Sequence, residues 1–153
     1  MKARDVMITQ VYKVKETDTV RRVLEKFVDH GISGVPVVNE ANEIVGYVSD
    51  GDIMRFIGRP ELGMFDSLPY AFMVRLDENE EPFEERSKRL LGMNVMEIAK
   101  KKVVTVDWNE DIQDVAALLG KKRIKKLPVV RGGVLVGIIS RGNVIRHAFT
   151  NLL

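Results

Sequence analysis

Cysteine is absent from the 153 residues, which excludes disulfide frameworks, thiolate zinc sites and cysteine nucleophiles. Histidine is nearly absent. His30 and His147 are the only two, they stand in unrelated contexts, and no histidine-rich metal site is expected. No apolar run approaches the roughly 18 residues of a membrane span. Met1 to Gln10 carries Lys2, Arg4 and Asp5 and lacks the apolar stretch of a signal peptide, so a soluble cytoplasmic protein is the expectation. HxD, HExxH and P-loop patterns are missing, and neither Ser49 nor Ser140 has a histidine to serve as its base. No enzyme is expected. What is present is ordinary for a globular chain: 45% hydrophobic and 30% charged residues, enough for one compact domain or two very small ones.

The net charge of +2 is unevenly spread. Residues 1–93 carry a net −4 and residues 94–153 a net +6. The basic excess gathers at Lys100-Lys101-Lys102, at Lys121-Lys122-Arg123 and at Lys125-Lys126. Solvated helix ends favoured by the macrodipole would explain such clusters, and so would an anion site.

An internal repeat organises the chain. Val35 to Val38, V-P-V-V, is matched 92 residues later by L-P-V-V at Leu127 to Val130. The same shift carries Val11–Val14 onto Val103–Val106, and Val20, Val23 and Phe27 onto Ile112, Val115 and Leu119. After the intervening turn the shift is 91, and I-V-G-Y-V-S-D-G-D-I (Ile44 to Ile53) falls on L-V-G-I-I-S-R-G-N-V (Leu135 to Val144). The flanks align as Asp5-Val6-Met7 with Asn94-Val95-Met96. Two copies are too few for a solenoid and predict a pseudo-twofold pair.

Each copy reads β-α-β-β-α. In the first, Val11 to Val14 is a short strand, and Thr17 or Asp18 caps a helix whose stripe is Val20, Val23, Leu24, Phe27 and Val28. Gly31 closes that helix. Val35–Val38 and Ile44–Val48 form strands around a polar turn, Asn39–Glu43, and Gly51 bends the chain into a second helix from Asp52. In the second copy, Asn109 caps a helix with Ile112, Val115, Ala116 and Leu119. Arg131-Gly132-Gly133 is a tight hairpin between Leu127–Val130 and Val134–Ile139, and a final helix starts near Asn143. A unit of about 50 residues has little core of its own. Two sheets stacked together would bury each other and leave clefts where their loops meet. The expected class is α/β (α+β), with a first motif at 1–57, an insert at 58–93 and a second motif at 94–153.

These residues resemble the paired cystathionine-β-synthase (CBS) domain, or Bateman module. The resemblance is carried by G-I-S-G-V-P-V-V (Gly31 to Val38), I-V-G-Y-V-S-D-G-D-I and their second-copy counterparts. It implies regulatory binding of an adenine ligand (AMP, ADP, ATP or S-adenosylmethionine), frequent homodimers, no required metal and no catalysis. A free-standing module of this kind needs an effector protein to carry its output. Ribose hydroxyls need acceptors, and the Ser-x-x-Asp pair Ser49 and Asp52 matches the family's ribose-binding pair; an N-cap would use the same two residues. The second copy keeps Ser140 but has Asn143 for the aspartate, so one good site and one weak or empty one are expected. Phosphate needs positive charge. The resemblance assigns it to Lys125 and Lys126, for which a solvated loop is the plainer reading; Arg141, next to Ser140, would add a third positive group. Adenine would lie against the backbone near Ser33 and Val35.

The stretch from Phe56 to Met93 holds five of ten aromatics and three of five prolines. Its readings are a helix from Pro82 to Leu91 closed by Gly92, a cap over the open end of the module, and a dimer or partner surface. Two further functions compete with ligand sensing: a ligand-free dimerisation module, and a nucleic-acid binder using the basic second half. The second lacks a helix-turn-helix or RNA-reading signature, and no aromatics interleave the lysines.

Overall fold

The two copies fold alike because their apolar residues recur at the same intervals. The computed structural model describes residues 1–59, 81–121 and 124–153. Phe65, Tyr70, Phe72, Pro60, Pro69, Lys122 and Arg123 therefore lie outside the described residues.

In the first motif, β1 (Val14–Lys15) leads to α2 (Val20–His30), then β2 (Gly34–Val38), β3 (Ile44–Ser49) and α3 (Asp50–Ile57); a short α1 (Ala3–Val6) precedes it. In the second motif β4 (Val106–Asp107), α5 (Ile112–Lys121), β5 (Lys126–Arg131), β6 (Val134–Ser140) and α6 (Arg141–Phe149) repeat the order. Between them stand α4 (Phe83–Gly92) and a 3-10 turn, Val95–Glu97. Each sheet has three strands, with the first parallel to the second and the second antiparallel to the third. Even the registers repeat. Val14 faces Val37 and Val106 faces Val129, and an irregularity falls between Val37 and Val38 in one hairpin and between Val129 and Val130 in the other.

Local chemistry sets the boundaries. Gly31 ends α2 in the left-handed region, φ 61°. The cap before α2 is Thr19, not Thr17 or Asp18; Asp18 instead accepts from the Lys15 N–H at 2.8 Å and shapes the turn after β1. Val28 is 82% exposed and does not belong to the apolar stripe. At 100° per residue it lies about 80° around the helix from Val20, on the flank. Gly132 and Gly133, φ 57° and 81°, form the two-residue turn that a twisted hairpin prefers. The first copy uses a longer turn, in which the Asn39 side chain accepts from the N–H of Ala41 and of Glu43. Gly51 makes no bend: α3 begins one residue earlier, with Ser49 as its N-cap. The final helix begins at Arg141, capped by Ser140.

The motifs pair more intimately than sheet against sheet. The core around Val14, Val20, Val35, Val37 and Val48 includes Leu90 and Val95, with Met93, Met96 and Ala99 packed on it. The core around Val106, Val115, Leu127 and Ile139 includes Ala3, with Met7 against it. Each motif is thus completed by the arm that leads into the other. Each buried valine or leucine contributes about 1.5–3 kcal/mol relative to exposure, so separating the motifs would strip both cores.

The exchange corrects the alignment of the flanks. The Lys2 N–H donates to Asp5 Oδ2 at 2.8 Å at the start of α1, and the Asn94 N–H donates to Glu97 Oε2 at 2.9 Å at the start of the 3-10 turn. Ala3 and Val95, both fully buried, are the equivalents. The isolated pairs Lys2–Asp111 and Thr19–Asn94 correspond at the shift of 92, and Ile8–Ile138 and Tyr47–Lys100 at 92 for Ile8 and Lys100 and 91 for Tyr47 and Ile138. The Asp-Val-Met and Asn-Val-Met likeness is three residues out of register.

Candidate functional site

The end of β3 and the start of α3 place the first motif's polar groups. The Ser49 N–H and hydroxyl both donate to Asp52 Oδ2, at 2.9 and 3.1 Å, and the Arg55 guanidinium pairs with Asp52 Oδ1. Asp52 is 7% exposed. The second motif reproduces the arrangement with Ser140 donating to Asn143 Oδ1 at 2.8 Å from both N–H and hydroxyl. Asp52 and Asn143 are therefore the same device, a side chain reaching back to the residue that caps the helix.

A hollow of about 300 Å³ lies between the motifs. The first motif gives it Ser33, Gly34, Tyr47, Ser49 and Asp50. The second gives Ile124, Lys125, Lys126 and Pro128. The arm between α4 and β4 gives Lys100, Lys102, Val103 and Val104. Four of the eight residues expected from sequence thus meet here: Ser33, Ser49, Lys125 and Lys126.

The other four do not line it. Val35 is fully buried in the first motif's core, because its position in β2 points inward. Asp52 turns toward the helix cap, and the carboxylate that reaches the hollow is that of Asp50. Ser140 is engaged with Asn143. Arg141 lies in a separate groove with Ala116, Leu119 and Val144, where its guanidinium donates to the Leu119 carbonyl at 2.9 Å.

Tyr47 and Asp50 were not assigned to a site from sequence, and Lys100 and Lys102 were read only as part of a basic cluster open to an anion. Tyr47 had a signal: it breaks the repeat, standing where the second copy has Ile138. Its ring packs over Gly34, where any β-carbon would overlap its hydroxyl. Burial first, and the Asp50 carboxylate second, push the Tyr47 hydroxyl up to about 12, so it stays a neutral donor and acceptor. The Asp50 N–H donates to the Ser33 carbonyl at 2.8 Å, tying the two loops that flank the hollow.

The hollow is strongly basic. Lys100, Lys102 and Lys125 are exposed and Lys126 is half-buried, against the single carboxylate of Asp50 among its lining residues. Apolar surface comes from Val103, Val104, Ile124 and Pro128. Such a lining can hold a flat apolar ring, accept from hydroxyls and bind an anion. Among the described residues no group of three or more His, Asp or Glu side chains could hold a metal ion, and no helix is long and apolar enough to cross a membrane.

Comparison with known proteins agrees with the repeat. The CBS domain family model matches residues 3–59 and 95–149. The CBS domain-containing protein CBSX1, chloroplastic, of Arabidopsis thaliana is 34% identical over 144 residues, 90% of this chain and 59% of that protein. The protein MJ1426 of Methanocaldococcus jannaschii is 30% identical over 155 residues, 95% of this chain and 89% of that one. Among solved structures, CBSX2 in complex with AMP gives a TM-score of 0.72 at 26% identity, covering 99% of this chain and 98% of that chain; CBSX2 is an Arabidopsis thaliana CBS-pair protein.

Proposed function

From the premise that the chain belongs to the CBS-domain family, with two CBS motifs in tandem, we propose that it is a regulatory module without catalysis of its own. It binds an adenine nucleotide in the hollow between the motifs and passes occupancy to a partner protein. The observation that carries this reading is the meeting of Ser49, Asp50 and Tyr47 from one motif with Lys125 and Lys126 from the other in one hollow. The AMP complex of CBSX2 supports the choice of adenine.

The roles follow from chemistry. The Ser49 hydroxyl donates to Asp52 and keeps a lone pair for a ribose hydroxyl. Asp50 supplies the charged acceptor. Asp52 acts through Ser49. Lys125 and Lys126 take the phosphate, and the apolar wall with Tyr47 takes the base. Because both motifs and the arm contact the ligand, occupancy favours the arrangement in which they are closed on one another; a ligand shifts an equilibrium only by such a difference in affinity.

Thermal unfolding with adenosine, AMP, ADP, ATP, S-adenosylmethionine and guanine nucleotides tests the reading. A ligand at 100 times its dissociation constant stabilises the native state by about 2.7 kcal/mol. Failure of every adenine ligand to raise the midpoint would sink it. A second reading, homodimerisation, is favoured by the exposed apolar side chains Val28 and Met54 on the first motif's helices and Ile145 and Phe149 on the last helix, 82, 57, 59 and 49% exposed. Sedimentation across a range of concentrations, with and without ligand, separates a sensor that dimerises from an assembly module that binds nothing.

A further inference from the structure

We infer that the hollow selects a nucleoside carrying a polyphosphate chain, and that Lys100 and Lys102 are the residues that make the selection. The nucleoside part rests on the function proposed above; the polyphosphate part rests on the lysines alone.

Four lysines and one aspartate line a space of about 300 Å³, a net of about three positive charges in a site at the small end of ligand pockets. A nucleoside takes up most of that room, so additional phosphates must extend toward the exposed lysines at the rim. A monophosphate brings at most two negative charges, too few to match the site. A di- or triphosphate brings three or four. S-adenosylmethionine, with its sulfonium cation, carries the wrong sign.

The fold does not require these lysines. At the repeat's shift of 92, Lys100 and Lys102 correspond to Ile8 and Gln10. Ile8 makes with Ile138 the same backbone pair that Lys100 makes with Tyr47, so an isoleucine serves the structural role. Neither Lys100, Lys102, Lys125 nor Lys126 takes part in an ion pair among the described residues. The neighbouring Lys101 does not line the hollow; a merely solubilising cluster would not distinguish it from the other two.

Isothermal titration calorimetry of the full chain in metal-free buffer, with adenosine, AMP, ATP, S-adenosylmethionine and inorganic tripolyphosphate, tests the inference. ATP is expected to bind at least about tenfold more tightly than AMP, a difference of about 1.4 kcal/mol, and to lose affinity more steeply with salt. The double variant K100Q/K102Q should abolish that preference while leaving AMP within about threefold, and K101Q should behave as the parent. Equal losses for AMP and ATP in the double variant, or AMP binding as tightly as ATP in the parent, would overturn the selection. Tripolyphosphate binding with no response to adenosine or AMP would keep the polyanion site and remove the adenine reading. Tripolyphosphate and ATP both failing to bind would remove the lysine assignment, whatever AMP does.

Discussion

Tyr47 and Lys100 exchange both backbone hydrogen bonds, N–H to carbonyl at 2.9 Å in each direction. This pair fastens the arm of the second motif to the last strand of the first and sets an aromatic hydroxyl and an ammonium on the same hollow. In the site proposed above, ligand contact and inter-motif contact would fall to adjacent atoms of the same residues. That is the physical basis for expecting occupancy to be felt in how the motifs pack.

The Tyr47 hydroxyl gives a pH test. Burial pushes it up to about 12, above the ordinary tyrosine value of 10.0, so the folded state holds the proton more tightly than the unfolded chain. The stabilisation is fully present below pH 10 and is lost as pH rises toward 12, by up to about 1.4 kcal/mol per pH unit. Tyr47→Phe keeps the ring and removes the titration. Urea midpoints measured from pH 9 to 11.5 should fall less steeply for the variant than for the parent; parallel curves would show that the hydroxyl is not held as described.

Asp52 and Asp50 are separable by substitution. Asn143 already performs Asp52's task in the second motif, so Asp52→Asn should cost under about 1 kcal/mol, whereas Asp52→Ala removes the partner of the Ser49 N–H and should cost about 1–2 kcal/mol. The ion pair with Arg55 adds little, because the arginine side chain is 64% exposed. Asp50→Asn should leave stability nearly unchanged and weaken adenosine about tenfold or more, the effect of losing a charged acceptor. Chemical denaturation and calorimetry read the two effects separately. The opposite ranking, with adenosine lost in Asp52→Asn and kept in Asp50→Asn, would return the ribose to Asp52.

The exposed Val28 and Met54 give a test of self-association. They face solvent on α2 and α3, and apolar side chains removed from water on association contribute about 25 cal/mol per Å². Val28→Glu with Met54→Glu should shift any dimer toward monomer in sedimentation while leaving the thermal midpoint of the monomer within about 1 kcal/mol, since surface changes have small effects. An unchanged dimer would place the interface elsewhere.

The repeat was readable because side-chain type follows burial: the valines and leucines of Val35–Val38 and Leu127–Val130 recur wherever the same sheet position recurs. The hairpin at Gly132-Gly133 and the cap at Gly31 were readable because few residues tolerate their φ. The exchanged arms were not, because likeness between Asp5-Val6-Met7 and Asn94-Val95-Met96 says which residues are similar and not which core each enters. The site was half readable. Lys125 and Lys126 sit beside a strand whose place the repeat fixes. Lys100 and Lys102 reach the hollow only through the pairing with Tyr47, a contact between motifs that no local pattern announces. Asp52 could not be decided from sequence because Ser-x-x-Asp serves a ribose and a helix cap with the same two side chains.

The exchange of arms makes its own prediction at two glycines. The arm of the first motif crosses β6 at Gly137, where a β-carbon would lie 3.1 Å from the Ile8 carbonyl and overlap Met7; the arm of the second crosses β3 at Gly46, where a β-carbon would lie 3.3 Å from the Lys100 carbonyl and 3.2 Å from Ala99. The two positions are equivalent under the shift of 91, and backbone at that distance cannot give way as a flexible side chain would. Gly137→Val and Gly46→Val should each destabilise by about 1–3 kcal/mol, the range for overpacking. Gly92→Ala, where nothing lies within 4 Å, is the control for adding a methyl group. Because each arm enters the other motif's core, unfolding of either variant should remain a single transition, with fluorescence of Trp108 in the second motif reporting loss of the first. Two separated transitions would mean that the arms do not couple the motifs.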